Sequence, residues 1–202
     1  MIKIIFCDIG GVLLHIDPDK TVSFWAQKAG VTEDYVRDNF PLEIHHEYEK
    51  GRLDDHEFYV QVKKSMNLNG LTEKDFWQGW RDLVGDATDV WSFTKQMAPN
   101  TPIWLLSNTN PKHILDDLKE EHSFFQEVDG TVYSFEVDAR KPDSDIFSKA
   151  CLMTGTQPEN ALFIDDMKEN IAQAQAMGFH TIHYTDHQTF KQELTKKVEL
   201  FD

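Results

Sequence analysis

Hydrophobic and polar positions along this chain follow two regimes. Residues 1–16 and 86–202 alternate between short apolar runs and amphipathic stretches, whereas residues 17–85 show helical spacing alone. In the first regime Ile4, Ile5, Phe6 and Cys7 form an apolar run that stops at Asp8, followed by Gly10 and Gly11. Such a run, bounded by glycines, predicts a strand buried on both faces. Pro102–Leu106 repeats the pattern and stops at Ser107-Asn108-Thr109; Ala161–Ile164 repeats it and stops at Asp165-Asp166. Thr131–Val137, rich in β-branched and aromatic residues, predicts a further strand ahead of Arg140-Lys141-Pro142, and His180–Tyr184 a short last one. Between them helical spacing covers Val90–Met97, Pro111–Glu120, Asp143 to about Thr154, a stretch through Ile171, Ala174 and Met177, and Phe190–Val198. Strands alternating with helices predict an α/β fold: a Rossmann-like parallel sheet with helices on both faces.

The second regime begins at Asp17-Pro18, an N-cap and first-turn proline. Val22, Trp25, Ala26 and Ala29 recur at helical spacing until Gly30, and Thr32 opens another helix through Tyr35 and Val36. A third runs through His45–Lys50 to Gly51, Asp54 with Glu57 reads as a capping box, and Thr72 with Asp75 starts a last helix carrying Phe76, Trp77, Trp80 and Leu83. No strand is predicted between Pro18 and Gly85. The pattern implies a core domain of residues 1–16 and 86–202 interrupted by an all-helical insert, 17–85, whose Trp and Phe residues are expected chiefly to fill its own core.

Composition narrows the function. The net charge of −15 disfavours nucleic acid and anionic membrane as partners, and any phosphate site must find its cations locally. No apolar stretch is long enough to span a bilayer, and the N-terminal run is too short for a secretory signal. Cys7 and Cys151 make no disulfide framework, which points to a reducing, cytoplasmic setting. The expected partner is a small metabolite, with the chain a monomer or homodimer.

Parallel strands bring their carboxyl ends to one edge, where open α/β sheets bind ligands. Asp8, Ser107, Asn108, Asp165 and Asp166 sit at such ends, and Lys141 in the loop after another. Asp8 by itself would serve equally well as a turn cap. Carboxylates converging on one point repel, however, and stable clustering calls for a cation. Oxygen ligands suit Mg²⁺, while a hydroxyl, an amide and an ammonium facing that ion would cradle a phosphoryl group. The histidines add no metal site: His180 and His183 fall on opposite faces of a strand, and the adjacent His45 and His46 diverge on a helix.

Taken together, these segments resemble the haloacid dehalogenase-like hydrolase superfamily over the whole chain. Phe6-Cys7-Asp8-Ile9-Gly10-Gly11-Val12 resembles its first motif, Leu106-Ser107-Asn108-Thr109 the second, Arg140-Lys141-Pro142 the third, and Phe163-Ile164-Asp165-Asp166 with Asn170 the fourth. The insert resembles the family's α-helical cap, and Glu49-Lys50-Gly51-Arg52-Leu53 resembles the cap of small bacterial sugar-phosphate phosphatases. The resemblance implies a Mg²⁺-dependent phosphatase acting on a small phosphorylated metabolite, a sugar phosphate among the candidates. Asp8 would be the nucleophile, forming an aspartyl-phosphate. Ser107 and Asn108 would hold the phosphoryl oxygens, and Lys141 would neutralise charge. Asp8, the Gly10 carbonyl and Asp166 would bind the metal, with Asp165 binding directly or through water and Asn170 supporting them. The cap would select substrate, with Trp25, Glu43, His46 and Tyr48 as candidate selectors.

One position departs from the family pattern. Its phosphatases usually carry a second Asp two residues after the nucleophile, as general acid and base, and here that residue is Gly10. Such a group typically contributes ~10²–10⁴-fold. Three readings follow: a phosphatase for esters whose leaving group needs little protonation, a metal-independent 2-haloacid dehalogenase, or an inactive phosphometabolite-binding protein. The pair Asp165-Asp166 argues against the dehalogenase, which has no use for repelling carboxylates.

Overall fold

The computed structural model describes residues 1–201, apart from the side chains at positions 115–117 and 198. Strand β1 (Ile4–Cys7) leads through a tight turn into a short β2 (Leu14–Ile16). Five helices follow: α1 (Pro18–Ala29), α2 (Glu33–Asn39), α3 (Leu42–Glu49), α4 (Asp55–Ser65) and α5 (Glu73–Asp82). The chain returns through β3 (Val84–Ala87) to α6 (Val90–Met97), β4 (Ile103–Ser107), a π-helical segment Lys112–Leu118, α7 (Lys119–Glu121) and α8 (Phe124–Glu127). It closes with β5 (Gly130–Tyr133), α9 (Ser134–Val137), α10 (Ser144–Thr154), β6 (Ala161–Asp165), α11 (Lys168–Ala176), β7 (His180–His183) and α12 (His187–Lys197). Among the described residues no helix is long and apolar enough to cross a membrane.

Five strands form one parallel sheet in the order β5-β4-β1-β6-β7, with β1 at its centre. Side chains alternate across that sheet with period two. Ile5, Cys7, Ile103, Leu105, Leu162 and Ile164 enter one buried layer, while Ile4, Phe6, Leu106, Ala161 and Phe163 enter the other. Burial on both faces is why these strands read as unbroken apolar runs. Register sets up the chemistry: Cys7 lies opposite Leu105 on one side and Ile164 on the other. Asp8, one residue on, therefore emerges level with the ends of both neighbouring strands.

The insert has a hydrophobic cluster of its own, drawn from residues 22–83. Trp25 stacks on Phe76 with ring centres 4.5 Å apart, and Tyr48 on Phe58 at 4.1 Å. Asp54 and Glu57 form the capping box that starts α4, and Thr72 caps α5.

Four expectations need correction. The segment between Pro18 and Gly85 is not wholly helical, because Val84 opens β3, which pairs antiparallel with β2. The change of pattern near Ile16 and Gly85 thus falls within a two-stranded ribbon. The strand expected over Thr131–Val137 ends at Tyr133. Ser134 takes a hydrogen bond from the Thr109 amide (2.9 Å) and donates one to the Thr109 carbonyl (3.1 Å), which draws the chain out of the sheet and into α9. Helix α3 starts at Leu42 rather than His45, and α12 at His187 rather than Phe190. The helix expected from Pro111 is π-helical over Lys112–Leu118, a hydrogen-bond spacing that composition does not reveal.

Candidate active site

Asp8, Asp165 and Asp166 each offer a carboxylate oxygen, all within 4.8 Å of one another, at the carboxyl edge of β1 and β6. Lys141, itself 1% exposed, reaches them from the loop after α9. Its ammonium lies 2.9 Å from Asp8 Oδ1 and 2.6 Å from Asp165 Oδ2. The lysine is held through its own backbone: its amide donates to Asn108 Oδ1 at 2.7 Å, and its carbonyl accepts from Asn108 Nδ2 at 2.8 Å. Asn108 therefore spends both ends of its amide on fixing the lysine loop. Ser107, buried at the end of β4, supplies a hydroxyl beside Asp8.

The two neighbouring acids differ in their bonding. Asp165 is fully buried, and its Oδ1 accepts from the Met167 amide at 2.8 Å and from Asn170 Nδ2 at 2.9 Å. With Lys141 on Oδ2, its oxygens are committed to the protein. Asp166 is half-buried, and its backbone carbonyl contacts His183 Nε2 at 2.9 Å. Asp8 and Asp166 are thus the carboxylates left facing open space, and an all-oxygen donor pair of this kind fits a hard divalent cation. Asn170 belongs to the support of Asp165.

Burial and crowding set the electrostatics. Burial pushes the Asp8 carboxyl up to about 7, Asp165 adds repulsion, and Lys141 and the Ser107 hydroxyl oppose the rise. Asp166 is raised for the same reasons, burial first and Asp165 second. Burial pulls the Lys141 ammonium down, but Asp165 and Asp8 together outweigh it and hold the lysine protonated. Cys7, buried beneath the site, has its thiol pushed up by burial and stays inert.

The turn after Asp8 explains its glycines separately. Gly11 has φ +77°, and a β-carbon there would overlap the Asp166 carboxylate. It is the glycine the site requires, both for the sharp turn expected after Asp8 and for the close approach of Asp166. Gly10 has no such backbone constraint. A β-carbon at Gly10 would lie 3.2 Å from Ile16 Cγ1, so the corner expected to hold an acid is walled by Ile16 from β2.

Above this floor lies a cavity of about 870 Å³ between the sheet edge and the insert. Trp25 and His46 line it; Glu43 is exposed and Tyr48 packs within the insert's core, and neither borders the cavity. The insert is latched to the core beside Lys141. Arg140 Nε donates to Glu49 Oε2 at 2.9 Å, Arg52 Nε to Asp138 Oδ1 at 2.7 Å, and Gly51, at φ +73°, sits against the Phe135 carbonyl. Of the stretch Glu49–Leu53, then, three residues make this joint. The Glu49–Arg140 pair spans 91 positions, and nothing local in the sequence announces it.

Comparison with known proteins agrees with this architecture. The chain is 28% identical to a D-ribitol-5-phosphate phosphatase from Bacteroides thetaiotaomicron, over 96% of this chain and 98% of that one. It is 24% identical to a sesquiterpene phosphatase from Aspergillus oryzae, covering 95% and 94%. A haloacid dehalogenase-family enzyme from Bacteroides thetaiotaomicron, crystallised with magnesium and inorganic phosphate, superposes with a TM-score of 0.79 at 23% identity, over 92% of this chain and 95% of that one. The model of the haloacid dehalogenase-like hydrolases matches residues 2–178, and with a parallel sheet whose central strand ends in Asp8, the chain belongs to that family.

Proposed function

We propose that the protein is a Mg²⁺-dependent phosphatase of small phosphorylated metabolites, working through a phosphoryl group carried on Asp8. The observation that carries this reading is the single ammonium of Lys141 shared between Asp8 and Asp165, with Asp166 beside them. One carboxylate is anchored to the protein and two face the cavity floor. The arrangement suits an anionic nucleophile that must approach an anionic ester.

In the first step an Asp8 carboxylate oxygen bonds to phosphorus as the ester P–O bond breaks, and the departing oxygen takes its proton from water. In the second, water bonds to phosphorus, the Asp8–phosphorus bond breaks, and inorganic phosphate leaves. Ser107 and backbone amides at the strand ends hold the phosphoryl oxygens, while Lys141 offsets their charge. Asp8 and Asp166, with the Gly10 carbonyl, would hold Mg²⁺, which supplies further charge neutralisation when bound. Asp165 keeps Lys141 in place rather than facing the ion. Residues 17–85 act as a cap over the site, hinged at the β2–β3 ribbon. The crystallised relative with magnesium and phosphate and the two relatives named as phosphatases support the reading.

The test is phosphate release from an aryl phosphate. It should cease with chelator and return with Mg²⁺. Undiminished turnover in excess chelator would overturn the metal's role, and halide release from a 2-haloacid without metal would favour the dehalogenase.

A further inference from the structure

The cavity above Asp8 is far larger than a phosphoryl group requires. Its volume of about 870 Å³ is near the upper end for small-molecule sites, so it must accept the organic part of the ester. Resting on the phosphatase reading, we infer that this organic part is apolar, a hydrocarbon or ring-bearing body rather than a polyol or sugar.

The wall supplies the reason. Val36, Phe40, Leu42, Trp80 and Leu83 from the insert, with Ile16 from β2, bound the cavity. Polar side chains are present too, and many of them are committed elsewhere, whereas His46, Thr109 and Glu169 border the cavity without a side-chain hydrogen bond of this kind. The Thr21 hydroxyl donates to the Gly79 carbonyl at 2.7 Å. His113 bonds the Trp80 carbonyl through Nε2 at 3.0 Å and takes Asn110 through its backbone amide. Glu49 holds Arg140 and faces His45, and Arg37 is engaged by Asp19 and Glu33. The Trp80 indole N–H is buried without a hydrogen-bond partner, a single donor on a wall that is otherwise mostly apolar.

A polyol entering this space would lose its water and find few groups to replace it. A buried hydroxyl without a partner costs far more than it returns. An apolar body would instead displace water from rings and branched chains, which is favourable for each methylene buried. The apolar wall continues to the reacting corner, where the Ile16 side chain lies against Gly10.

Leaving-group chemistry must be held constant in the test, so the panel is of primary-alcohol esters. Alkyl phosphates from ethyl to octyl are compared with glycerol, ribitol and hexose phosphates under saturating Mg²⁺. The expected result is a kcat/KM that climbs with chain length, by up to about fourfold per methylene, with pentyl phosphate well ahead of ribitol 5-phosphate. Ribitol 5-phosphate or a hexose phosphate outrunning its carbon-matched alkyl ester would overturn the inference. Titration calorimetry with alkylphosphonates, which cannot be hydrolysed, separates this from the phosphatase reading. Affinity that tightens with chain length supports an apolar cavity even if every ester proves inert, an outcome that would sink the phosphatase reading alone. Affinity indifferent to chain length overturns the apolar cavity even in an active phosphatase. Leu42, exposed at the cavity's edge, offers a fold-tolerant variant: Leu42→Ser should flatten the dependence on chain length, and an unchanged dependence would count against the wall as drawn.

Discussion

At the sheet edge, charged atoms pack against charged atoms; across the cavity, in the insert, rings pack against rings. Lys141 and Asp165 are almost wholly buried, and they tolerate it because the lysine ammonium has two carboxylates and Asp165 accepts from Lys141, Met167 and Asn170. The insert reaches comparable burial with Trp25, Phe58 and Phe76, whose stability is mostly area removed from water. The two regions should therefore fail differently. A change at the floor should alter the rate for every substrate, and a change in the insert should alter which substrate is preferred.

The sharpest separation comes from Lys141→Met. Removing the ammonium leaves Asp8 and Asp165 facing each other without a counter-charge. Turnover should fall by ~10²–10³-fold on all esters alike, and loss of one partner of a buried ion pair should cost about 3–5 kcal/mol of stability in the metal-free protein. A variant that changed substrate ranking but not overall rate would break the distinction between floor and insert. Metal-free melts should show how far excess Mg²⁺ recovers the lost stability.

The next effect is a pH dependence. The folded Asp8 carboxyl sits at about 7, above its ordinary value of 3.8, so the folded state holds a proton that the unfolded state has lost. Stability of the metal-free protein should fall as pH rises between those values, because the unfolded chain binds fewer protons there. Relative to Asp8→Asn, whose side chain does not ionise, the melting temperature should drop by roughly 10 °C across that window. Mg²⁺ should remove most of the drop above pH 7. A parallel pair of melting curves would mean that Asp8 is not destabilised by its surroundings.

A smaller effect tests the joint between the regions. Glu49→Gln keeps the shape but removes the charge facing Arg140. A hydrogen bond to a charged group is worth about 1.5–3 kcal/mol, and part of that should appear as looser docking of the insert. The expected readouts are faster amide exchange in α3 and a raised KM with kcat little changed. Equal loss of kcat and of kcat/KM would instead place Glu49 in the reaction.

Smallest of all should be the effect at Gly10. Gly10→Asp alone crowds Ile16, whereas Gly10→Asp with Ile16→Ala makes room for the new side chain. If the missing acid limits poor leaving groups, the double variant should gain several-fold on alkyl phosphates and little on aryl phosphates. A gain equal on both classes would show that the corner acts through shape and not through proton supply.

Much of the fold could be read from the chain because burial on both faces writes itself as apolar runs. Ile4–Cys7, Ile103–Leu106 and Ala161–Ile164 each end where polar chemistry begins, and those ends converge in the structure. Helix starts at Asp17, Thr32, Asp54 and Thr72 were equally plain, since capping is local. What escaped depends on contacts distant in sequence. The β2–β3 ribbon has strands of only three and four residues, too short to show a period, and α9 follows from Ser134 bonding Thr109. The division of labour between Asp165 and Asp166 rests on which of them Lys141 and Asn170 reach. Asn108, expected to hold a phosphoryl oxygen, has its side-chain amide bonded to the Lys141 backbone 33 positions away, a pairing that nothing local in the sequence announces.

The central claim is that Asp8 carries the phosphoryl group. Rapid acid quench during turnover of a substrate labelled in its phosphate should trap label on the peptide containing Asp8, approaching one phosphoryl group per chain when the second step is slower. Asp8→Asn should carry none and lose at least ~10⁴-fold in turnover while keeping its fold. Release of product with no label on the protein at any time, or label that persists in Asp8→Asn, would contradict the account.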